Sequence, residues 1–188
     1  MNKQLDASKH RTFLKDTCDK WFKESLSKGD RGRLRRAGQV ESLAANEAMF
    51  NLEKRLQSVA KNVDDIGILA LAALLAGLKA DSNNVLIPAK ELATRAGAKG
   101  DSDKPKLSRA RLGKLFAAQD INKRLRAFRE LLRILDNTAD AGDLAECFLY
   151  WHEPKTRWRF ARAYFNPISV AANDASNDDS ADAAQSAP

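Results

Sequence analysis

The sequence predicts an all-α protein made of two small helical modules packed together, followed by a disordered acidic tail. Apolar residues recur at helical spacing along most of residues 9–165, and no stretch of useful length alternates between apolar and polar residues as a half-buried strand does. Nine glycines and five prolines among 188 residues are too few for the many turns of a sandwich or barrel. The content of 44% hydrophobic and 30% charged residues is typical of a chain that folds.

The N-terminal module, residues 1–82, is predicted to contain four helices. Asp30 suits the N-cap of the second, because a short carboxylate accepts hydrogen bonds from the first free backbone N–H groups. The fourth is apolar on every side, so we expect it to lie at the centre of the module. Its apolar run is shorter than the ~18 residues that a bilayer crossing requires. The four helices are predicted near residues 9–27, 30–37, 49–59 and 64–79.

The C-terminal module, residues 83–168, begins after a polar stretch and is predicted to contain five helices. Asp143 and Glu146 have the spacing of a capping pair. Trp151 and Trp158 lie on apolar stripes and are assigned to core packing. The tail, residues 169–188, is too polar to fold alone. The five helices are predicted near residues 88–97, 107–117, 120–136, 142–152 and 155–165.

Residues suited to catalysis or metal binding are sparse. The two histidines, His10 and His152, have no second histidine or cysteine at the spacing of a metal site. Glycine-rich phosphate loops and nucleophile motifs are also missing from the sequence. Cys18 and Cys147 are expected to be reduced core thiols of a cytoplasmic protein, since the polar first residues carry no signal core. The sequence therefore predicts a protein without enzymatic activity, cofactor, metal or membrane association.

Positive charge is the most informative feature of the chain. The net charge is +7, and the last 18 residues contain four aspartates and no base, so residues 1–170 carry +11. Such a charge favours a polyanionic partner. Residues 104–133 hold ten bases against two acids, and residues 28–36 hold a second basic cluster. The basic residues predicted to contact phosphates are Arg31, Arg33, Arg35, Arg36, Arg109, Arg111, Lys114, Arg126, Arg129 and Arg133.

Three of these residues share one side of a helix. Arg126, Arg129 and Arg133 recur at i, i+3 and i+7, while the apolar residues of the same helix face the core, so all three guanidinium groups are expected to be exposed. Guanidinium groups bind phosphate oxygens in a bidentate fork. The alternative is a solvated helix face that serves solubility, although such faces normally mix both signs of charge.

The order of these segments resembles a known family. A first helix with Trp21 precedes KGDRGRLRRAG at 28–38, and a Leu-Ser-x-x-Arg-Leu helix precedes the arginine-rich helix. The chain then closes with DLAECFLYW at 143–151 and RWRFARAYF at 157–165. Over residues 10–166 this pattern is similar to the small all-helical subunit of type I-E CRISPR Cascade surveillance complexes, the CasB family.

The resemblance implies a non-catalytic subunit in antiviral defence, present in two copies beside the backbone and other Cascade subunits. It implies binding of guide RNA and target DNA without sequence preference, and stabilisation of the R-loop through the displaced strand and the guide–target hybrid. Arg35, Arg36, Arg111 and Arg129 match basic positions of the family. The other six candidate residues come from the charge pattern alone.

Two other functions fit parts of the sequence. Residues 87–97 look like the first helix and turn of a helix-turn-helix regulator, but a ten-residue gap containing Pro105 separates them from the next helix. The basic faces could also bind an acidic protein, in which case the chain would have little affinity for single-stranded DNA.

Overall fold

The computed structural model describes residues 2–43, 47–58, 60, 63–81, 86, 89, 91–100 and 103–166, with side chains from residue 9 onward. Within these ranges no strand is formed, and two isolated bridges, Ala80–Leu86 and Lys99–Pro105, are the only β-type pairings. The predicted all-α fold is confirmed. The helices are α1 Asn2–Glu24, α2 Lys28–Arg36, the 3₁₀ helix Val40–Leu43, α3 Glu47–Gln57, α4 Asp65–Leu75, α5 Leu92–Gly97, α6 Arg109–Ala117, α7 Ile121–Ile134, α8 Ala141–Leu149 and α9 Pro154–Phe165.

The residues that cap two of the helices differ from the prediction, and α1 and α5 begin at Asn2 and Leu92 rather than near residues 9 and 88. The N-cap of α2 is Ser27, whose hydroxyl accepts the N–H of Asp30 at 3.1 Å, so Asp30 lies inside the first turn. There its negative charge still favours the helix dipole. The N-cap of α8 is Asp140, which accepts the N–H of Asp143 at 2.8 Å. The prediction that Asp143 and Glu146 form a capping pair was therefore wrong, and both are buried instead.

The apolar helix α4, predicted to lie at the centre of the N-terminal module, packs against helices from both halves of the chain. It contacts α2, α3, the 3₁₀ helix, α7 and α8, and eight of its 11 residues are buried. The helix ends at Leu75 rather than near residue 79, because Gly77 and Leu78 form tighter i→i+3 hydrogen bonds to Leu74 and Leu75. These bonds use the carbonyl oxygens of Leu74 and Leu75, so the carbonyls just beyond the helix, those of Ala76 and Leu78, are left to accept other donors.

Packing joins the two halves of the chain. Helix α1 lies along α8, and a Cβ atom on Gly142 would be 2.5 Å from the carbonyl oxygen of Arg11, so this close approach requires glycine. The buried apolar residues form one connected core. The predicted boundary at residues 82 and 83 and the tail at 169–188 lie outside the described residues, and the division into modules 1–82 and 83–168 stays a prediction.

Helix α9 is fixed against α5 by a second close approach. A Cβ atom on Gly97, the last residue of α5, would be 1.9 Å from the carbonyl oxygen of Tyr164. The hydroxyl of Tyr164 donates a hydrogen bond to the carbonyl of Leu107 at 2.6 Å. Together these contacts set which face of α9 points inward and hold its C-terminal end beside the start of α6.

Candidate nucleic-acid interface

Helix α7 presents its bases because its apolar residues are buried on the opposite side. Leu125, Phe128 and Leu132 are buried, whereas Arg126 and Arg133 are exposed. Residues seven apart differ by only about 20° around a helix, so the two exposed guanidinium groups lie on one line along α7. Two of the three arginines at i, i+3 and i+7 are thus exposed on one side of α7, as their spacing predicts.

The third of these arginines, Arg129, is half-buried, whereas the spacing predicts that it is exposed. Its guanidinium donates hydrogen bonds to the carbonyl oxygens of Ala37, at 2.5 Å, and Leu34, at 3.2 Å. These carbonyls belong to the end of α2, where helix acceptors have no partner within the helix and the dipole is negative. Burial lowers the pKa of Arg129, although an arginine remains protonated at neutral pH. Arg129 therefore ties α7 to α2.

This tie brings the two basic clusters of the sequence together. Arg35 of α2 and Arg129 and Arg133 of α7 line one open cavity of about 220 Å³. Its other lining residues come mainly from α4 and its C-terminal turn and from the end of α7: Ala73, Leu74, Gly77, Leu132 and Asn137. The cavity thus has apolar walls and cationic residues from two helices.

Five exposed bases lie on the two helices whose arginines line the cavity. Arg33, Arg35 and Arg36 are exposed on α2, and Arg126 and Arg133 are exposed on α7. Within the part of the chain that the structure describes, none of these five forms an ion pair. We term these five residues the α2–α7 basic surface.

Arg31, the first arginine of α2, has a different environment. It donates hydrogen bonds to the carbonyls of Ala76, at 3.2 Å, and Leu78, at 2.5 Å, just beyond the end of α4. Its guanidinium carbon also lies 4.8 Å from the ring centroid of Phe22, a cation–π distance. Burial, and then the charge of Arg35, lower the pKa of Arg31. In both Arg31 and Arg129, therefore, the guanidinium group donates hydrogen bonds to backbone carbonyls at the C-terminal end of a neighbouring helix.

The α6 residues of the predicted set lie outside the cavity. Arg109 and Lys114 are exposed, and Arg111 forms an ion pair with Glu130 of α7 at 2.9 Å. Both partners of that pair are more than one third exposed, so it contributes only about 0–1 kcal/mol. The pair is weak enough to open if a phosphate competes for Arg111.

The two tryptophans at the end of the chain have opposite environments. Trp151 is 1% exposed and donates its indole N–H to the carbonyl of Leu115, as its assignment to the core predicts. The same assignment was wrong for Trp158, which is 65% exposed. The core-facing residues of α9 are instead Thr156, Phe160 and Tyr164.

A buried ionic cluster beneath α1 was missed by sequence reasoning. Glu146 accepts hydrogen bonds from Nε of Arg11, at 2.9 Å, and from a terminal nitrogen of Arg159, at 2.6 Å. Asp143 lies 3.5 Å from Arg11 and accepts the N–H of Leu92. Burial raises the pKa of Asp143 to about 6, and the charge of Arg11 opposes the rise. The cluster joins α1, α8 and α9, which are far apart in sequence.

The described residues form neither a metal site nor a membrane-spanning helix. They contain no group of three or more histidine, cysteine or acidic residues placed to hold a metal ion. No helix among them is both long and apolar enough to cross a membrane. Cys18 and Cys147 are free and buried, and burial raises the pKa of each thiol.

Comparison with models of known protein families assigns the chain to one family. The family model described as CRISPR-associated protein Cse2 matches residues 30–165. The chain belongs to the Cse2 family. The match begins in α2 and ends with the last residue of α9, so it includes all ten predicted site residues. No curated protein and no solved structure gives a significant match.

Cse2 is the CasB subunit of type I-E Cascade, so the resemblance found in the sequence is confirmed. Members of the Cse2 family are structural subunits of the CRISPR Cascade complex, and the chain therefore has other Cascade subunits as partners. Membership favours this role over the helix-turn-helix regulator that residues 87–97 suggested.

Proposed function

We propose that this Cascade subunit binds nucleic-acid backbone without sequence preference through the α2–α7 basic surface. The observation that carries the proposal is the convergence of Arg35 and Arg133 on one cavity, from helices about 100 residues apart in the chain. Guanidinium groups without acidic partners match phosphate oxygens in charge and geometry. Because the contacts are to phosphates, they position a strand and read no sequence.

The proposed consequence is a longer-lived R-loop. Replacing a DNA duplex with a guide–target hybrid is nearly balanced in free energy, since the hybrid is about as stable as the duplex. A few phosphate contacts on the displaced strand or on the hybrid can then decide whether the open state persists. The ligands are thus target DNA and guide RNA in the assembled complex, where a second copy of the chain would extend the charged path.

Salt dependence tests the proposal directly. Replacing both Arg126 and Arg133 with alanine is expected to flatten the slope of log K against log salt for single-stranded DNA by about 1.4, since each phosphate contact contributes about −0.7. Binding is measured by fluorescence anisotropy over a series of salt concentrations. Circular dichroism should remain helical, because both side chains are exposed.

The matched control removes two positive charges elsewhere. Lys20 on α1 and Lys54 on α3 are exposed, and their double alanine variant has the same net charge as the arginine pair variant. We expect its slope to stay at the wild-type value. Equal flattening in both variants would show that net charge alone drives binding. A wild-type chain that ignores DNA but captures an acidic protein would support a protein partner instead.

Arg129 should behave differently from its neighbours on α7. Its replacement with alanine leaves the carbonyls of Leu34 and Ala37 without their donor, so we expect unfolding to become easier by about 1–3 kcal/mol. The measurement is urea denaturation, with Arg133→Ala as the control that should leave stability nearly unchanged. If Arg129→Ala instead keeps full stability and flattens the salt slope by about 0.7, Arg129 is a phosphate ligand.

A further inference from the structure

Helix α9 has an outward face that is aromatic and basic at once. Trp158 and Phe165 are 65% and 57% exposed, and they lie seven residues apart on one line of the helix. Arg162 is exposed between them, with its guanidinium carbon 5.7 Å from the ring centroid of Trp158. The opposite face of the helix, which carries Phe160 and Tyr164, already packs in the core, so this outward face has no part in core packing.

We propose that Trp158 stacks against an unpaired base of single-stranded nucleic acid, while Arg162 contacts the adjoining phosphate. This inference rests on the proposed function, because it adds a second contact to the same strand. Base stacking on an aromatic ring does not depend on sequence, since every base has a π-face. It therefore suits a subunit that binds strands of any sequence.

The charge of α9 favours nucleic acid over a protein partner. Residues Pro154–Phe165 include four bases and no acid. Of these bases, Arg159 is held by Glu146, and Arg162 has no acidic partner among the described residues. The centres of protein–protein interfaces are depleted of charge, whereas strand-binding grooves combine cations with stacking aromatics. A guanidinium beside an exposed indole matches the second pattern.

The C-terminal end of this face lies beside the start of α6. The rings of Tyr164 and Phe165 lie 4.9 Å apart, and Tyr164 is hydrogen-bonded to Leu107 just before α6. Arg109, at the start of α6, is exposed beside this junction. The aromatic face of α9 thus adjoins the basic α6, whose Arg111 is paired with α7.

Trp158→Ala in the full chain tests the proposal, with a labelled oligothymidylate as the probe. Loss of one stacked base is expected to weaken binding roughly 5- to 150-fold. Stacking releases no counterions, so the salt slope should stay at the wild-type value, unlike that of the Arg126 and Arg133 double variant. Trp158→Phe should recover most of the affinity. The matched control is Phe50→Ala on α3, where the ring is 53% exposed, and we expect no change in affinity.

Fluorescence gives a second readout. Trp21 and Trp151 are buried, so Trp158 is the one solvent-exposed tryptophan among the three. An oligonucleotide that stacks on Trp158 should quench the fluorescence of that residue, and the Trp158→Phe variant should lack this quenching. If the wild-type chain binds with a salt slope but Trp158→Ala binds equally well, the stacking proposal alone is overturned. A Trp158→Ala variant that keeps its DNA affinity but fails to enter Cascade assigns the face to a protein partner. A wild-type chain without DNA affinity, alone and in the complex, overturns both proposals.

Discussion

Replacing Trp151 with alanine is expected to lower the free energy of unfolding by about 3–5 kcal/mol, the cost of truncating a large buried aromatic side chain. The indole is 1% exposed and packs edge-to-face on Phe116, Phe128 and Phe160, with ring centroids 5.2–5.3 Å apart. Its N–H donates to the carbonyl of Leu115 at 3.2 Å. Alanine would leave a cavity between α6, α7 and α9 and would remove one of the two hydrogen bonds to the Leu115 carbonyl, the other coming from the N–H of Ala118 at 3.3 Å.

Urea denaturation followed by far-UV circular dichroism measures this effect. The control is Trp158→Ala, which removes an indole of the same size from the exposed face of α9 and should change stability by less than about 0.5 kcal/mol. A Trp158 variant that is destabilised as much as the Trp151 variant would mean that the exposed face is covered in solution.

Trp151 and Trp158 show that hydrophobic periodicity predicts a helix more reliably than it predicts which side of the helix is buried. Helix α9 carries two rows of bulky residues, Trp158 with Phe165 and Phe160 with Tyr164, and both fit a helical period. The period therefore predicts the helix but does not determine which row is buried. That choice is made by α5, whose Gly97 allows the backbone of Tyr164 to approach closely. A contact between residues so far apart leaves no signal in the local pattern.

The sequence predicts which helices are rich in arginine, but it does not predict which of those arginines are held by backbone carbonyls and which are exposed. The i, i+3, i+7 spacing places Arg129 only roughly 40–60° around α7 from Arg126 and Arg133. The spacing therefore predicts the same role, phosphate contact, for all three arginines. The end of α2 lies next to Arg129 and supplies free carbonyls, which separates it from the other two. Arg31 is separated from Arg33 and Arg35 in the same way by the end of α4.

Local capping rules failed at α8 for a related reason. The three-residue spacing of Asp143 and Glu146 fits a capping box, and a helix does begin there. However, Asp140 already supplies the cap, and α1 covers the start of α8. The two carboxylates are then buried, and burial is tolerated because Arg11 and Arg159 pair with them.

Glu146→Ala is expected to lower the free energy of unfolding by about 2–3 kcal/mol. Removing one member of a fully buried pair costs roughly 3–5 kcal/mol, and the loss is smaller here because the Arg159 side chain is 40% exposed. The variant leaves Arg11 and Arg159 without the carboxylate that joins α1 to α9. The control is Glu24→Ala, which breaks the exposed pair with Arg55 at the same 2.9 Å distance and should cost at most about 1 kcal/mol.

Acid gives an independent check on the Glu146 ion pairs. Burial by itself would raise the pKa of Glu146, but hydrogen bonds and charges from Arg159 and Arg11 outweigh it and hold the pKa below the usual value of 4.5. A carboxylate with a lowered pKa stabilises the fold above its unfolded pKa, and this stabilisation is lost as the pH falls through the folded pKa. The difference in denaturation midpoint between wild type and Glu146→Ala should therefore be constant near neutral pH and shrink below about pH 4.5. A difference that persists undiminished in acid would show that the lost packing of the side chain, rather than its charge, accounts for the destabilisation.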